Sequence, residues 1–210
     1  MSGGEQLAFG FARAGDVDPD PLPVVHRGVL CLKLDRHRVP AILETIERYP
    51  PHLRAAADAI GIRVALIGPF QGYGDYSPAL REMRVDDAKV PFAGVFVHTE
   101  RTLYVRWLSA LVVAHEYAHA LDFALGRGVY LSRTDPAIRR AFREALLARR
   151  FITRYAVSGV SEYVAEGMRA MVEVNDERGP WPRVSRDRLK RVDSALYGIL
   201  EKLFDAERPW

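Results

Sequence analysis

The chain has 210 residues, 49% of them hydrophobic, with a formal net charge of +3 and a pI near 9.1. That is apolar material for one domain, or one domain with a small lobe. No apolar run approaches the ~20 residues of a membrane span, and the arginines are interleaved with acids, as in TDPAIRRAFREALLARRF, which describes a solvated helix face and not a nucleic-acid stripe.

Residues 1–23, MSGGEQLAFGFARAGDVDPDPLP, are rich in Gly, Asp and Pro and read as a flexible lead-in. They lack the basic start and apolar block of a secretory signal. The expectation is a chain that stays in the cytoplasm, leaves it by another route, or has its export signal outside these residues. Residues 24–210 are expected to form a single domain, with 24–92 as an N-terminal lobe and 93–210 as the helical part. The single cysteine, Cys31, excludes an intrachain disulfide and a Cys-rich zinc site, and in GVLCLKL it reads as a small core residue.

VVHRGVLCLKL (24–34) alternates and predicts one strand. VPAILETIERYP and PHLRAAADAI predict two short helices bounded by proline, the second ended by Gly61. IRVALIG is a buried strand closed by Gly68 and Pro69. Residues 69–91 carry Gly, Pro and Tyr with no sustained period and read as loop. In AGVFVHTERTLYVRW two alternating runs flank a polar TER, a hairpin signal. Ser109 is placed to cap a helix running to Gly126 or Gly128. Further helices are expected over 135–151, opened by TDP, and over 161–174, opened by Ser161. After the break at GPWP, DRLKRVDSALYGILEKLF predicts one final amphipathic helix. Few strands among many helices make the class α+β, dominated by helices.

Within LVVAHEYAHALD, His115 and His119 stand four apart and Glu116 follows the first. On a helix, positions i and i+4 lie about 40° apart on one face, so both imidazoles can address one ion. Glu116, about 100° round, can reach a water on that ion without ligating it. Two ligands and a general base from one rigid element is the chemical content of His-Glu-x-x-His. The alternative is a core helix whose histidines bond neighbouring backbone. Burying two His and a Glu within about one turn with no metal or partner costs several kcal/mol, which favours the metal.

A catalytic zinc takes a third protein ligand and keeps one position open. Glu162 and Glu166 are i and i+4 in SEYVAEGM, so both face one way: one can ligate while the other orients an imidazole through its free N–H. Spacing alone does not say which. Asp122, three residues after His119, is a candidate ligand, a partner of a ligand, or an acid near a helix end, where the dipole disfavours it.

HEYAHALD, followed 43 residues after its second histidine by Glu162 within RYAVSGVSEYVAEGMRAM, resembles the catalytic domain of the anthrax lethal factor-like zinc metallopeptidases and their relatives, the Pro-Pro endopeptidases. The resemblance is specific over about residues 93–171, and the hairpin looks like the family's strand pair before the active-site helix. It implies a zincin-like (gluzincin) fold with a small mixed sheet whose edge strand precedes the motif helix. It further implies one catalytic Zn2+ on His115, His119 and Glu162, Tyr155 as the phenol at the oxyanion, and Glu166 behind the ligands. Taken alone, Tyr155 is as well explained as a packed aromatic at a helix end. The implied activity is a zinc-dependent endopeptidase using a zinc-bound water and Glu116 as base.

An edge strand made of Gly94, Val95, Phe96, Val97 and His98 would hold a peptide or protein substrate in extended form by strand addition. His98 is otherwise a solvent-exposed hairpin histidine, and His26, His37 and His52 have no metal-like spacing. No motif in 69–91 maps to the family, so substrate preference, proline included, does not transfer. Two other readings remain: a cytoplasmic regulatory peptidase that cuts a repressor-type protein, and an inactive relative that keeps zinc for folding. Glu116 argues against the last, because a structural site has no use for a base.

Overall fold

The computed structural model describes residues 24–26, 29–31, 39–68, 70–89, 92–176, 179 and 181–205, so the lead-in over 1–23 and His37 lie outside the described residues. Where one strand was expected over 24–34 there are two, β1 (Val24–His26) and β2 (Val29–Cys31), antiparallel with Val25 opposite Leu30. A period of two runs through both and hides the interruption. α1 (Val39–Glu47) and α2 (Pro51–Ala59) follow, separated at Pro50. Pro51 stands in the first turn of α2, where its missing N–H has no intrahelical partner to lose. Gly61, at φ +74, then turns the chain into β3 (Arg63–Leu66).

Residues 70–89 are not bare loop. They hold α3 (Pro78–Glu82), capped by Ser77 and flanked by single 3-10 turns at Tyr73–Asp75 and Val85–Asp87. Polar anchors hold this segment, which is why periodicity missed it. Asp86 accepts from the backbone N–H of Tyr73 and Gly74 and from Arg106, whose guanidinium lies 4.1 Å over the Tyr73 ring. Glu100 accepts from Ser77, Ala79 and the Tyr104 hydroxyl.

The expected hairpin is β4 (Gly94–Val97) and β5 (Thr102–Val105), antiparallel with Val95 opposite Tyr104. α4 (Ala110–Leu125) carries the motif. Ser109 occupies its N-cap position, but the side chain makes no capping bond. α5 (Leu131–Thr134) and α6 (Pro136–Ala148) follow, the latter capped by Asp135 through the N–H of Ala137 and Ile138. α7 (Val160–Met171) begins from Gly159 and not from Ser161. The single last helix that was expected is two, α8 (Arg186–Val192) and α9 (Ser194–Phe204), broken at Asp193, whose side chain caps α9.

Among the described residues five strands form one sheet in the order β1-β2-β3-β5-β4, with parallel pairs in the middle and antiparallel pairs at both ends. β4 is therefore the edge beside the motif helix. This is a helix-dominated α+β fold with a small mixed sheet. α4 is its axis: every residue from Leu111 to Ala124 is buried. That burial explains an almost unbroken apolar sequence with a weak amphipathic pattern. The main core joins α1, α2 and one sheet face to α4, α6, α7 and α9, and Tyr49 donates to the Ala114 carbonyl at 2.8 Å. A second cluster, including Ile67, Tyr73, Leu80 and Val95, covers the other sheet face under residues 70–89.

Candidate metal centre

α4 and α7 pack directly against each other, and their facing sides carry the charged residues of the motif region. His115 Nε2, His119 Nε2 and Glu162 Oε2 form a triangle with sides of 3.0, 3.1 and 3.2 Å. Together they are a buried group that could hold a metal ion.

The chemistry of these donors fits a cation. His115 Nδ1–H donates to Glu166 Oε1 at 2.9 Å, which leaves Nε2 of the neutral ring as a bare lone pair. Glu162 Oε2 is an acceptor too, and facing lone pairs 3.0 Å apart call for a positive charge between them. Three donors on a tetrahedral ion at about 2.0–2.2 Å stand about 3.3–3.6 Å apart. The observed sides come within a few tenths of an ångström of one face of such a tetrahedron.

Where protons supply the positive charge, the acid–base behaviour follows from the same geometry. Burial works to lower the pKa of His115, but its bonds to Glu162 and Glu166 prevail and hold it at about 10. Glu162 responds in the opposite sense: burial would raise its pKa, and the two imidazoles hold it below the usual carboxylate range. Glu166 is likewise held low against burial, by His115 and Arg169.

Glu116 is 2% exposed, and its Oε2 accepts from the backbone N–H of Phe96 at 3.1 Å. Burial raises its pKa, with His115 and His119 opposing. The bond exists because β4 is an edge. Arg106 N–H donates to the Ala93 carbonyl, so in the antiparallel alternation Ala93, Val95 and Val97 turn their backbone groups towards β5. Gly94 and Phe96 turn theirs to the free side. Gly94 also sets how near the helix can come: a Cβ there would stand 2.7 Å from Val112 Cγ1 and 3.1 Å from Glu116 Cγ.

Tyr155 lies in the 3-10 turn before α7, its ring centroid 5.5 Å from that of His115 and 6.3 Å from that of Trp181. His98 is exposed at the end of β4, against Phe123 and Tyr130 at 5.7 and 5.8 Å. His52 bonds the Leu203 carbonyl, tying α2 to the end of α9. Asp122 is turned to α5, where both of its oxygens accept from Ser132. Two groups have no counterpart in the sequence reasoning. One is the Phe96 N–H, invisible because any residue supplies one. The other is Arg169, fully buried against Glu166, for which the i, i+3 spacing was the available signal.

No protein-family model matches the chain, and no curated protein matches it in sequence. Among solved structures it is similar to the Pro-Pro endopeptidase PPEP-2 from Paenibacillus alvei, with a TM-score of 0.57 and 19% identity over 85% of this chain and 98% of that one. The two share an α+β, zincin-like fold.

Proposed function

We propose that the protein is a zinc-dependent endopeptidase in which His115, His119 and Glu162 hold the metal. The observation that carries this reading is the convergence of three donors from α4 and α7 beside a buried glutamate bonded to an edge strand. The fold shared with an endopeptidase supports it. Bound there, zinc would supply Lewis acidity, polarising a carbonyl and bringing the pKa of water from ~15.7 towards ~7.

The chain's own residues do the rest. Glu166 orients the His115 ring. Glu116, its pKa raised by burial, takes the proton of the attacking water and passes it to the leaving amine. The Tyr155 hydroxyl donates to the developing oxyanion, an interaction of the kind worth about 2.7–4 kcal/mol in the transition state. An extended peptide pairs along the free side of β4 with the backbone groups of Gly94, the Phe96 carbonyl and His98. The Phe96 N–H is withheld from it by Glu116. Main-chain pairing of this kind binds many sequences alike, which suits a peptidase whose selectivity lies in side-chain pockets. Residues 24–210 act as one domain in this scheme, with 24–92 contributing β1, β2 and β3.

Wild type and Glu116→Ala are to be incubated with a proteome-derived peptide library, new termini read by mass spectrometry, and bound zinc measured in both. The expected result is equal zinc content, with cleavage by wild type and a loss of about 10²–10⁴-fold in the variant. Cleavage by Glu116→Ala at the wild-type rate sinks the mechanism.

A further inference from the structure

Arg169 is 0% exposed and is among the largest fully buried side chains. It stands seven residues after Glu162 and three after Glu166, on the face of α7 that meets α4. Its Nε and Nη2 reach Glu166 Oε1 and Oε2 at 3.0 and 2.9 Å, a two-pronged clamp that fixes the carboxylate plane. Its remaining nitrogen, Nη1, donates to the Val174 carbonyl at 2.9 Å and reaches Asn175 Oδ1 at 3.5 Å. Asn175 is held in turn by both backbone groups of Val184. The guanidinium is thus set from both sides and cannot swing away.

A carboxylate buried this deeply is costly without compensating charge and bonds. Arg169 supplies both, and the oxygen it holds with Nε is the one that accepts from His115 Nδ1–H. We infer that Arg169 is a positioning residue of the metal centre: by clamping Glu166 it holds the His115 ring so that Nε2 presents its lone pair to the site shared with His119 and Glu162. The inference rests on the metal-dependent reading above. It adds a member that touches neither metal nor substrate and acts two bonds away, through a carboxylate and an imidazole. Lysine cannot replace it, because an ammonium is a point charge with no planar fork.

The test is zinc affinity, by competition with a chromophoric chelator, for wild type, Glu166→Gln, Arg169→Lys and the double variant. Thermal melting in EDTA serves as the folding control. Losing the carboxylate that orients a ligand weakens metal binding by about 10–100-fold. Glu166→Gln should lose affinity in that range and Arg169→Lys about 10-fold, while the double variant binds no more weakly than Glu166→Gln alone, since Arg169 acts through Glu166. In 15N-labelled zinc-free protein, the Nδ1–H signal of His115 should weaken or shift in Arg169→Lys. A purely structural role would instead make the two losses multiply. Wild-type affinity in Arg169→Lys, or multiplied losses, would overturn the inference while leaving the metal centre standing. A wild-type chain that takes up no zinc would overturn the centre itself and this role with it.

Discussion

Besides Glu116, three buried acids surround the motif histidines, and their titration differs with what they touch. Glu162 and Glu166 face imidazoles and a guanidinium, and both are held low. Asp122 accepts from the backbone N–H and the hydroxyl of Ser132, at 2.7 and 2.6 Å, and burial raises its pKa to about 6 against the opposing pull of those bonds and of the nearby His119 and Arg133. A carboxyl group with a raised pKa favours the folded state in its protonated form. Its cost is therefore absent below the ordinary value of 3.8, grows as the pH rises and is complete above about 6. The full cost is on the order of 3 kcal/mol. Asp122→Asn keeps an acceptor for the N–H and turns the other contact into a donor to the hydroxyl. In EDTA the variant is expected to be more stable than wild type at pH 7.5 and equal to it below pH 4. Urea denaturation across that range checks it, and a pH-independent difference would show that Asp122 is not ionised at a cost.

Among the elements, Asp193 stands where the chain turns from α8 into α9. One of its oxygens accepts from Leu196 N–H at 3.1 Å and caps α9, while the other accepts from the Tyr163 hydroxyl at 2.6 Å. Tyr163 belongs to α7, one residue after the candidate ligand Glu162. A helix cap and a bond to the helix of Glu162 thus meet in one side chain. Asp193→Ala removes the cap, at about 0.5–2 kcal/mol, and leaves a buried hydroxyl without its acceptor, at about 1–3 kcal/mol. A loss of about 2–4 kcal/mol in urea denaturation is the expected outcome, and a loss under about 1 kcal/mol would show that the contact is incidental. The amphipathic period over 187–204 concealed this break, because α8 and α9 each keep an apolar face towards the same core. The cap of α6 was legible for the opposite reason: Asp135-Pro136 states an N-terminus locally, with no help from distant contacts.

At the scale of the molecule, a metal held by His115, His119 and Glu162 would cross-link α4 and α7, and so a helix lined by the sheet and one held by the C-terminal helices. A ligand that binds only the folded arrangement stabilises it by mass action, by about 2.7 kcal/mol at 100 times its Kd. Zinc is expected to raise the melting temperature of the wild type in a concentration-dependent way, and EDTA to reverse the rise. His119→Ala should respond far less, and an equal response would place the zinc elsewhere. The sequence by itself determined the motif helix, the hairpin before it, the helical dominance and the i, i+4 pairing of Glu162 with Glu166, because period and spacing are properties of neighbouring residues. Only the tertiary structure decided that Glu162 meets both imidazoles, that Glu166 stands behind one of them under Arg169, that the Phe96 N–H holds Glu116, and that Asp86 and Glu100 gather residues 70–89 onto the sheet. These contacts join positions that no local period relates, and they depend on how α4 packs against α7 and how near Gly94 lets α4 come to the strand.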